Sequence, residues 1–106
     1  MARKVKRNSY LLLDAFFSKE LSDSKFDKVR RIICKYANFD YFHSENNHIV
    51  QTGVDKIGSF PISIALLPTN CVILAKYKYS ASLAKYKEAL RSIDKDVRIS
   101  SINLFM

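Results

Sequence analysis

The second half of the chain carries the pattern that most constrains its fold. Residues 60–67 and 71–79 are two runs rich in β-branched and aliphatic residues, and the tripeptide Pro68-Thr69-Asn70 separates them. Two strand-like runs joined by so short a turn predict a β-hairpin. In the second run, apolar residues at 73, 75 and 77 alternate with 72, 74, 76 and 78. One face of this strand is therefore expected to be buried, while the other ends in positive charge.

A helix and a last strand are predicted after the hairpin. Leu83, Tyr86, Leu90 and Ile93 recur at spacings of three, four and three, which is typical of the buried face of a helix. Ser80 or Ser82 is the expected N-cap, and Lys85, Lys87 and Arg91 are expected on the outer side. The acidic stretch 94–96 ends the helix, and residues 97–105 then alternate as a final strand.

The first half of the chain has weaker patterns, which predict a strand, a helix and two short extended pieces in that order. Residues 9–17 form an apolar run of strand length and are read as a central strand. Ser24 to Asp27 has the form of a capping box, and apolar residues at helical spacing follow it, which predicts a helix over 24–37. Residues 38–59 are the weakest stretch and suggest two short extended pieces around a polar loop at 44–48.

The resulting order is strand, helix, two strands, helix, strand. It predicts an α+β fold of the ferredoxin-like, split βαβ type, with both helices on one face of an antiparallel sheet. The other sheet face is then free for a partner. We expect a basic N-terminal segment, residues 1–8, followed by a single domain over residues 9–106.

Charge indicates the class of partner. The 106 residues include 18 Lys and Arg against 10 Asp and Glu, a net charge of +8, so nucleic acid is the first partner to consider. The plainer alternative is that the lysines serve solubility.

No stretch resembles a membrane anchor or span, and the two cysteines are too few for a disulfide scaffold. These features predict a cytoplasmic protein, or a nuclear one in a eukaryote.

Catalytic motifs are not evident, so no catalytic residue and no metal or cofactor site is predicted in the chain. It has no glycine-rich phosphate loop, no Cys-x-x-Cys and no His-Glu-x-x-His. Asp14 could be compared with an acidic residue of a metal-dependent nuclease, but it is interpreted as a hydrogen-bonding residue at the end of a strand. His43 and His48 are read as surface residues rather than metal ligands.

The predicted free sheet face carries aliphatic residues. RNA-recognition domains of this fold stack bases on aromatic residues of the first and third strands, and the matching positions here are Leu12, Val72 and Leu74. These three are therefore predicted to contact a protein, and RNA is expected to be held by charge and loops. The candidate RNA-binding residues are Arg3, Lys4, Lys6, Arg7, Lys76 and Lys78.

Three short motifs resemble a known family. A basic segment runs into Tyr10-Leu11-Leu12-Leu13, the hairpin turn contains Pro68, and Ile73-Leu74-Ala75-Lys76 leads into a helix and a last strand. In these respects the chain is similar to protein component 2 of ribonuclease P, the small subunit shared by archaeal and eukaryotic enzymes. It departs from the family pattern at Asn70 and Cys71, where Thr and Gly are usual. The family's Ser-Gly-Thr segment and basic tail are not matched at residues 104–106.

The resemblance implies a role and partners. In that family the RNA subunit, with Mg²⁺, cleaves precursor tRNA to form the mature 5′ end, and the protein is a non-catalytic subunit of this endoribonuclease. It is expected to join a second, barrel-shaped protein, commonly with two copies of each, in a cytoplasmic or nucleolar particle. Two alternatives stay open: a general nucleic-acid-binding module of a mobile element, and a protein-interaction module of degenerate RNA-recognition type.

Overall fold

A computed structural model describes the backbone of residues 9–45 and 48–105, and their side chains except at 39–45, 48 and 51. The described strands form one sheet in the order β2-β3-β4-β5-β1-β6, and every neighbouring pair is antiparallel. A 3₁₀ helix, η1, precedes the second α-helix. The elements are β1 (Ser9–Phe16), α1 (Asp23–Tyr36), β2 (Ala37–Glu45), β3 (His48–Asp55), β4 (Pro61–Leu66), β5 (Asn70–Lys76), η1 (Tyr77–Leu83), α2 (Ala84–Ile93) and β6 (Arg98–Phe105).

The first helix buries the face that its sequence spacing predicts. Phe26, Val29 and Ile33 lie in the core. The N-cap is Ser22, whose hydroxyl accepts a hydrogen bond of 3.3 Å from the backbone N–H of Lys25. The predicted cap at Ser24 was therefore wrong by two residues, because Ser22 is the side chain that reaches a free amide of the first turn.

The second helix begins later than predicted. Residues 77–83 form η1, so α2 starts at Ala84 and its N-cap residue, Leu83, makes no side-chain capping bond. The predicted caps at Ser80 and Ser82 were wrong. Tertiary contacts replace the cap, since Leu83 is fully buried and the Tyr79 ring stacks on Phe60 at 4.3 Å between centroids.

The sheet has one covered and one open face. On the covered face, residues at alternate positions of β1, β4 and β5 pack against the helices and form the core; they are Leu11, Leu13, Ala15, Ile62, Ile64, Leu66, Cys71, Ile73 and Ala75. Burial raises the pKa of the Cys71 thiol to about 12, so this thiol stays protonated and packs as an apolar group. The residues between them lie on the open face.

The predicted α+β class, the two helices and the antiparallel sheet are confirmed. The sheet is larger than the predicted order of elements implies, because β2 and β3 form an additional hairpin beside β4. The two extended pieces predicted within residues 38–59 correspond to this hairpin. Its register shifts between Phe39 and Tyr41, so the period-two alternation that identifies a strand is interrupted there.

One buried ion pair joins this hairpin to both helices. Asp55, at the end of β3, is fully buried, and its Oδ1 lies 2.7 Å from the Lys85 ammonium and 2.7 Å from the Tyr86 hydroxyl. Its Oδ2 accepts a bond of 2.7 Å from the Gly58 N–H. The Tyr86 hydroxyl also lies 3.3 Å from the Tyr36 carbonyl at the end of α1.

The prediction that Lys85 lies on the outer side of its helix was wrong. Only 20% of its side chain is exposed, because the ammonium folds inward to Asp55. Burial by itself would raise the pKa of Asp55. Hydrogen bonds from Lys85, Gly58 and Tyr86 outweigh that effect, so the pKa lies below its ordinary value and Asp55 is ionised at neutral pH. Burial and the bond to Asp55 both raise the pKa of Tyr86.

Within the described residues, no helix is both long and apolar enough to cross a lipid bilayer.

Candidate nucleic-acid interface

The open sheet face presents a stripe of aliphatic side chains. Cross-strand register places Leu74 beside Leu12, and Leu12 beside Ile102 on the edge strand β6. Val72 is the next open-face residue of β5, opposite Asp14. We call Leu12, Val72, Leu74 and Ile102 the aliphatic stripe. The three residues predicted as a protein interface thus lie together on the uncovered face, and their contact with a partner stays a prediction.

Positive charge collects at one end of this face. β5 ends at Lys76, which pairs with Tyr10 near the start of β1, and η1 follows at once with Lys78. The basic segment 1–8 is joined to the chain here, at Ser9. We call Lys76, Lys78 and the neighbouring Tyr10 and Tyr77 the basic end. Arg3, Lys4, Lys6 and Arg7 lie outside the described residues, so of the six candidate RNA-binding residues the structure places Lys76 and Lys78 only.

An aromatic stack holds Lys78 in place. The residue was predicted on a strand, but the strand ends at Lys76 and Lys78 lies on η1. Its ammonium lies 5.2 Å from the centre of the Tyr79 ring, and the same ring stacks on the fully buried Phe60. A cation at this distance is attracted to the ring face. The stack therefore directs one cation to the surface of the basic end.

A shallow depression of about 200 Å³ lies between the basic end and the aliphatic stripe. Tyr10, Leu74 and Lys76 form one side, and small or short residues of β3 and β4 form the rest. Its full lining is Tyr10, Thr52, Gly53, Pro61, Ile62, Ser63, Leu74, Ala75 and Lys76. Among the residues that the structure describes, no carboxylate lines it, so the charge contributed by this lining is positive.

Tyr10 was not among the residues predicted to contact a partner. The first strand was compared with RNA-recognition domains at Leu12 only, where the side chain is aliphatic. Tyr10 lies two residues earlier and shares the open face with Leu12, since side chains of a strand alternate with a period of two. This period of two is the signal in the sequence that could have placed Tyr10 on the open face. Its position beside Lys76, by contrast, depends on the pairing of β1 with β5.

The opposite end of the sheet has mixed charge. Lys19, Lys25, Arg91 and Lys95 surround a shallow cleft there, together with Asp94 and Asp96. Asp94 accepts a bond of 2.6 Å from the Ser18 N–H and further bonds from the Ser18 hydroxyl. These bonds, with the charge of Lys25, hold the pKa of Asp94 below its usual value. Its carboxylate therefore offsets part of the positive charge at this end.

Asp14 behaves as the sequence analysis predicts for a strand residue. Its Oδ1 accepts a hydrogen bond of 3.1 Å from the side-chain amide of Asn70 on the neighbouring strand. In the part of the chain that the structure describes, no group of three or more His, Cys, Asp or Glu is arranged to hold a metal ion. The side chains of His43 and His48 lie outside the described set.

Comparison of the sequence with protein-family models and with curated proteins found no match.

Proposed function

We propose that the chain is a non-catalytic RNA-binding subunit of ribonuclease P, which holds RNA at its basic end and a second protein on its aliphatic stripe. The observation that carries this proposal is the arrangement of the open face. Positive charge and apolar surface are separated along it, with Lys76 and Tyr10 at one end and Leu12 and Ile102 toward the middle. Such a face suits two partners of different chemistry at once. The motifs of the basic N-terminus and of the hairpin support the family assignment.

The strand arrangement supports the finer fold class proposed here, a ferredoxin-like split βαβ sandwich with an inserted hairpin. Four strands of the sheet lie in the order β4-β5-β1-β6, and each neighbouring pair among them is antiparallel. β1 is therefore parallel to β4, and β5 to β6, with one strand between the members of each pair. In this proposal α1 with the β2–β3 hairpin forms the first crossover and α2 forms the second.

The proposed role needs no chemistry from the protein. Lysines of the basic end, together with the lysines and arginines of segment 1–8, neutralise phosphates and release counterions, which lowers the repulsion that opposes folding of a large RNA. The RNA subunit and its Mg²⁺ would then cleave precursor tRNA within the assembled particle. The second protein subunit, expected as a 2:2 assembly with this chain, would cover the aliphatic stripe.

Recovery of the protein from its native source, with sequencing of the bound RNA, tests this proposal. We expect one abundant structured RNA together with a protein partner. Adding the purified protein and partner to that RNA should lower the Mg²⁺ concentration needed for cleavage of precursor tRNA, and the protein alone should not cleave. Mixed RNA or DNA would favour a general nucleic-acid-binding module instead. Cleavage by the protein alone, lost in a folded Asp14→Asn variant, would overturn the scaffold role.

The aliphatic stripe also favours a second candidate, a protein-interaction module that does not bind RNA. Both candidates predict that the isolated chain self-associates at high concentration, because an exposed apolar patch on a small domain promotes association. Ile102, 45% exposed, lies in the stripe, and Ile102→Lys should shift sedimentation toward the monomer. Ile57→Lys is the matched control, since Ile57 is 77% exposed in the turn after β3. A wild-type chain that sediments as a monomer at all concentrations would contradict self-association through the aliphatic stripe.

A further inference from the structure

The depression beside Tyr10 has the composition of a site for a single unpaired nucleobase. Its apolar part comes from Leu74 and Pro61, and its aromatic residue is Tyr10. Hydroxyl groups of Thr52 and Ser63 belong to the lining as well. Its volume of about 200 Å³ is below the range of pockets that hold drug-sized ligands, which begins near ~300 Å³. A planar fragment of the size of one base is a suitable occupant.

Charge distinguishes this occupant from an apolar side chain of a protein. Lys76 lines the depression, Lys78 follows two residues later on η1, and the described residues of the lining include no carboxylate. A nucleotide presents a flat ring and a phosphate about one ribose apart, which matches an aromatic residue next to a lysine. Proteins that bind single-stranded nucleic acid without sequence preference combine these two features, aromatic rings for the bases and positive charge for the backbone.

We propose that this depression binds one unstacked base of a single-stranded RNA segment, with the Tyr10 ring against the base and Lys76 near its phosphate. The inference deepens the proposed RNA-binding function and rests on it. It also divides the open face, since RNA covers the end with Tyr10 and Lys76, and protein covers Leu12, Val72 and Ile102. Leu74 lies at the border of the two areas.

The test compares binding of two probes, a short uridine oligonucleotide and a ribose-phosphate chain of equal length without bases. The full chain should prefer the uridine oligonucleotide, because both probes carry the same phosphates and only one carries bases. Tyr10→Leu should weaken binding of the uridine oligonucleotide by roughly 5- to 100-fold, the range for loss of one base–aromatic contact. It should leave the abasic probe and the salt dependence unchanged, and Tyr10→Phe should retain the preference.

Phe16→Leu is the matched control. Phe16 is also an exposed aromatic on the open face of β1, but it lies at the opposite end of the strand and outside the depression. Its replacement should not affect the preference for bases. Ser63→Leu, which fills the depression from the β4 side, provides a second test if Tyr10→Leu lowers stability, and it should also abolish the preference. Thermal unfolding of each variant checks that it folds.

Each other outcome overturns the site in a distinguishable way. Equal binding of both probes by the wild type, or a preference that survives Tyr10→Leu and Ser63→Leu, removes the base site while RNA binding stands. Binding of neither probe, and of no RNA from the native source, removes the proposed function as well. If Tyr10→Leu weakens capture of a purified protein partner but leaves RNA binding unchanged, the depression is a protein contact instead.

Discussion

Replacing Lys85 by methionine is expected to lower the free energy of unfolding by about 3–5 kcal/mol at neutral pH. The substitution keeps an apolar side chain of similar length but leaves the fully buried Asp55 carboxylate without its cation. Denaturation in urea measures the effect. Lys87→Met, two residues along the same helix, is the matched control, and we expect a change within about 0.5 kcal/mol. Equal effects of the two substitutions would contradict the importance of the ion pair.

The pH dependence identifies Asp55 as the group responsible. In the wild type its pKa lies below the ordinary 3.8, so its contribution to stability is present above that value and is lost as pH falls through the folded pKa. Without the ammonium, burial should dominate and raise the pKa of Asp55 in the folded variant. Stability of the variant would then be lost as pH rises through that raised value. The difference between the two proteins should therefore shrink as the solution becomes acidic.

The double variant Asp55→Leu with Lys85→Met completes the test. A buried ion pair replaced by apolar residues of similar volume often leaves stability unchanged or improves it, whereas one partner left alone is costly. The double variant should therefore be more stable than Lys85→Met. Its stability should also lack the pH-dependent term that Asp55 contributes. A double variant less stable than Lys85→Met at neutral pH would show that Asp55 has a role besides pairing with Lys85, such as its bond from the Gly58 N–H.

Alanine at Arg3, Lys4, Lys6 and Arg7 is expected to reduce strongly both the affinity for RNA and its dependence on salt. If each residue contacts one phosphate, the slope of log K against log salt should fall by about 0.7 per contact for single strands, or roughly 3 in total. A salt titration by fluorescence anisotropy measures the slope. An unchanged slope would show that the four residues do not contact phosphates.

A charge-matched control separates phosphate contact from net charge. Lys19, Lys25, Arg91 and Lys95 line the cleft at the opposite end of the sheet, and their replacement by alanine removes the same four charges. This control should change the slope much less than the N-terminal variant. Similar changes in the two variants would indicate that overall charge, rather than the basic N-terminal segment, attracts RNA.

Local patterns in the sequence determined most of the elements. Period-two alternation identified β5, an apolar run of strand length identified β1, and helical spacing identified the buried residues of α1, such as Val29 and Ile33. These signals are strong because each element has one buried face, and a shift of one residue would expose it. The alternation in β5 correctly placed Val72 and Leu74 on the open face, and comparison with RNA-recognition domains placed Leu12 there. Sequence therefore indicated which side of the sheet is available to a partner.

Tertiary structure alone decided which distant residues meet. The Asp55–Lys85 pair joins residues 30 positions apart, and no local pattern distinguishes Lys85 from Lys87 on the same helix. Likewise, η1 replaces the predicted serine cap because burial of Leu83 and stacking of Tyr79 on Phe60 stabilise that turn. The Tyr10 depression depends on the register of four strands. Pairing of strands and burial of charge are long-range, so the free energies that select them appear only when the chain is folded.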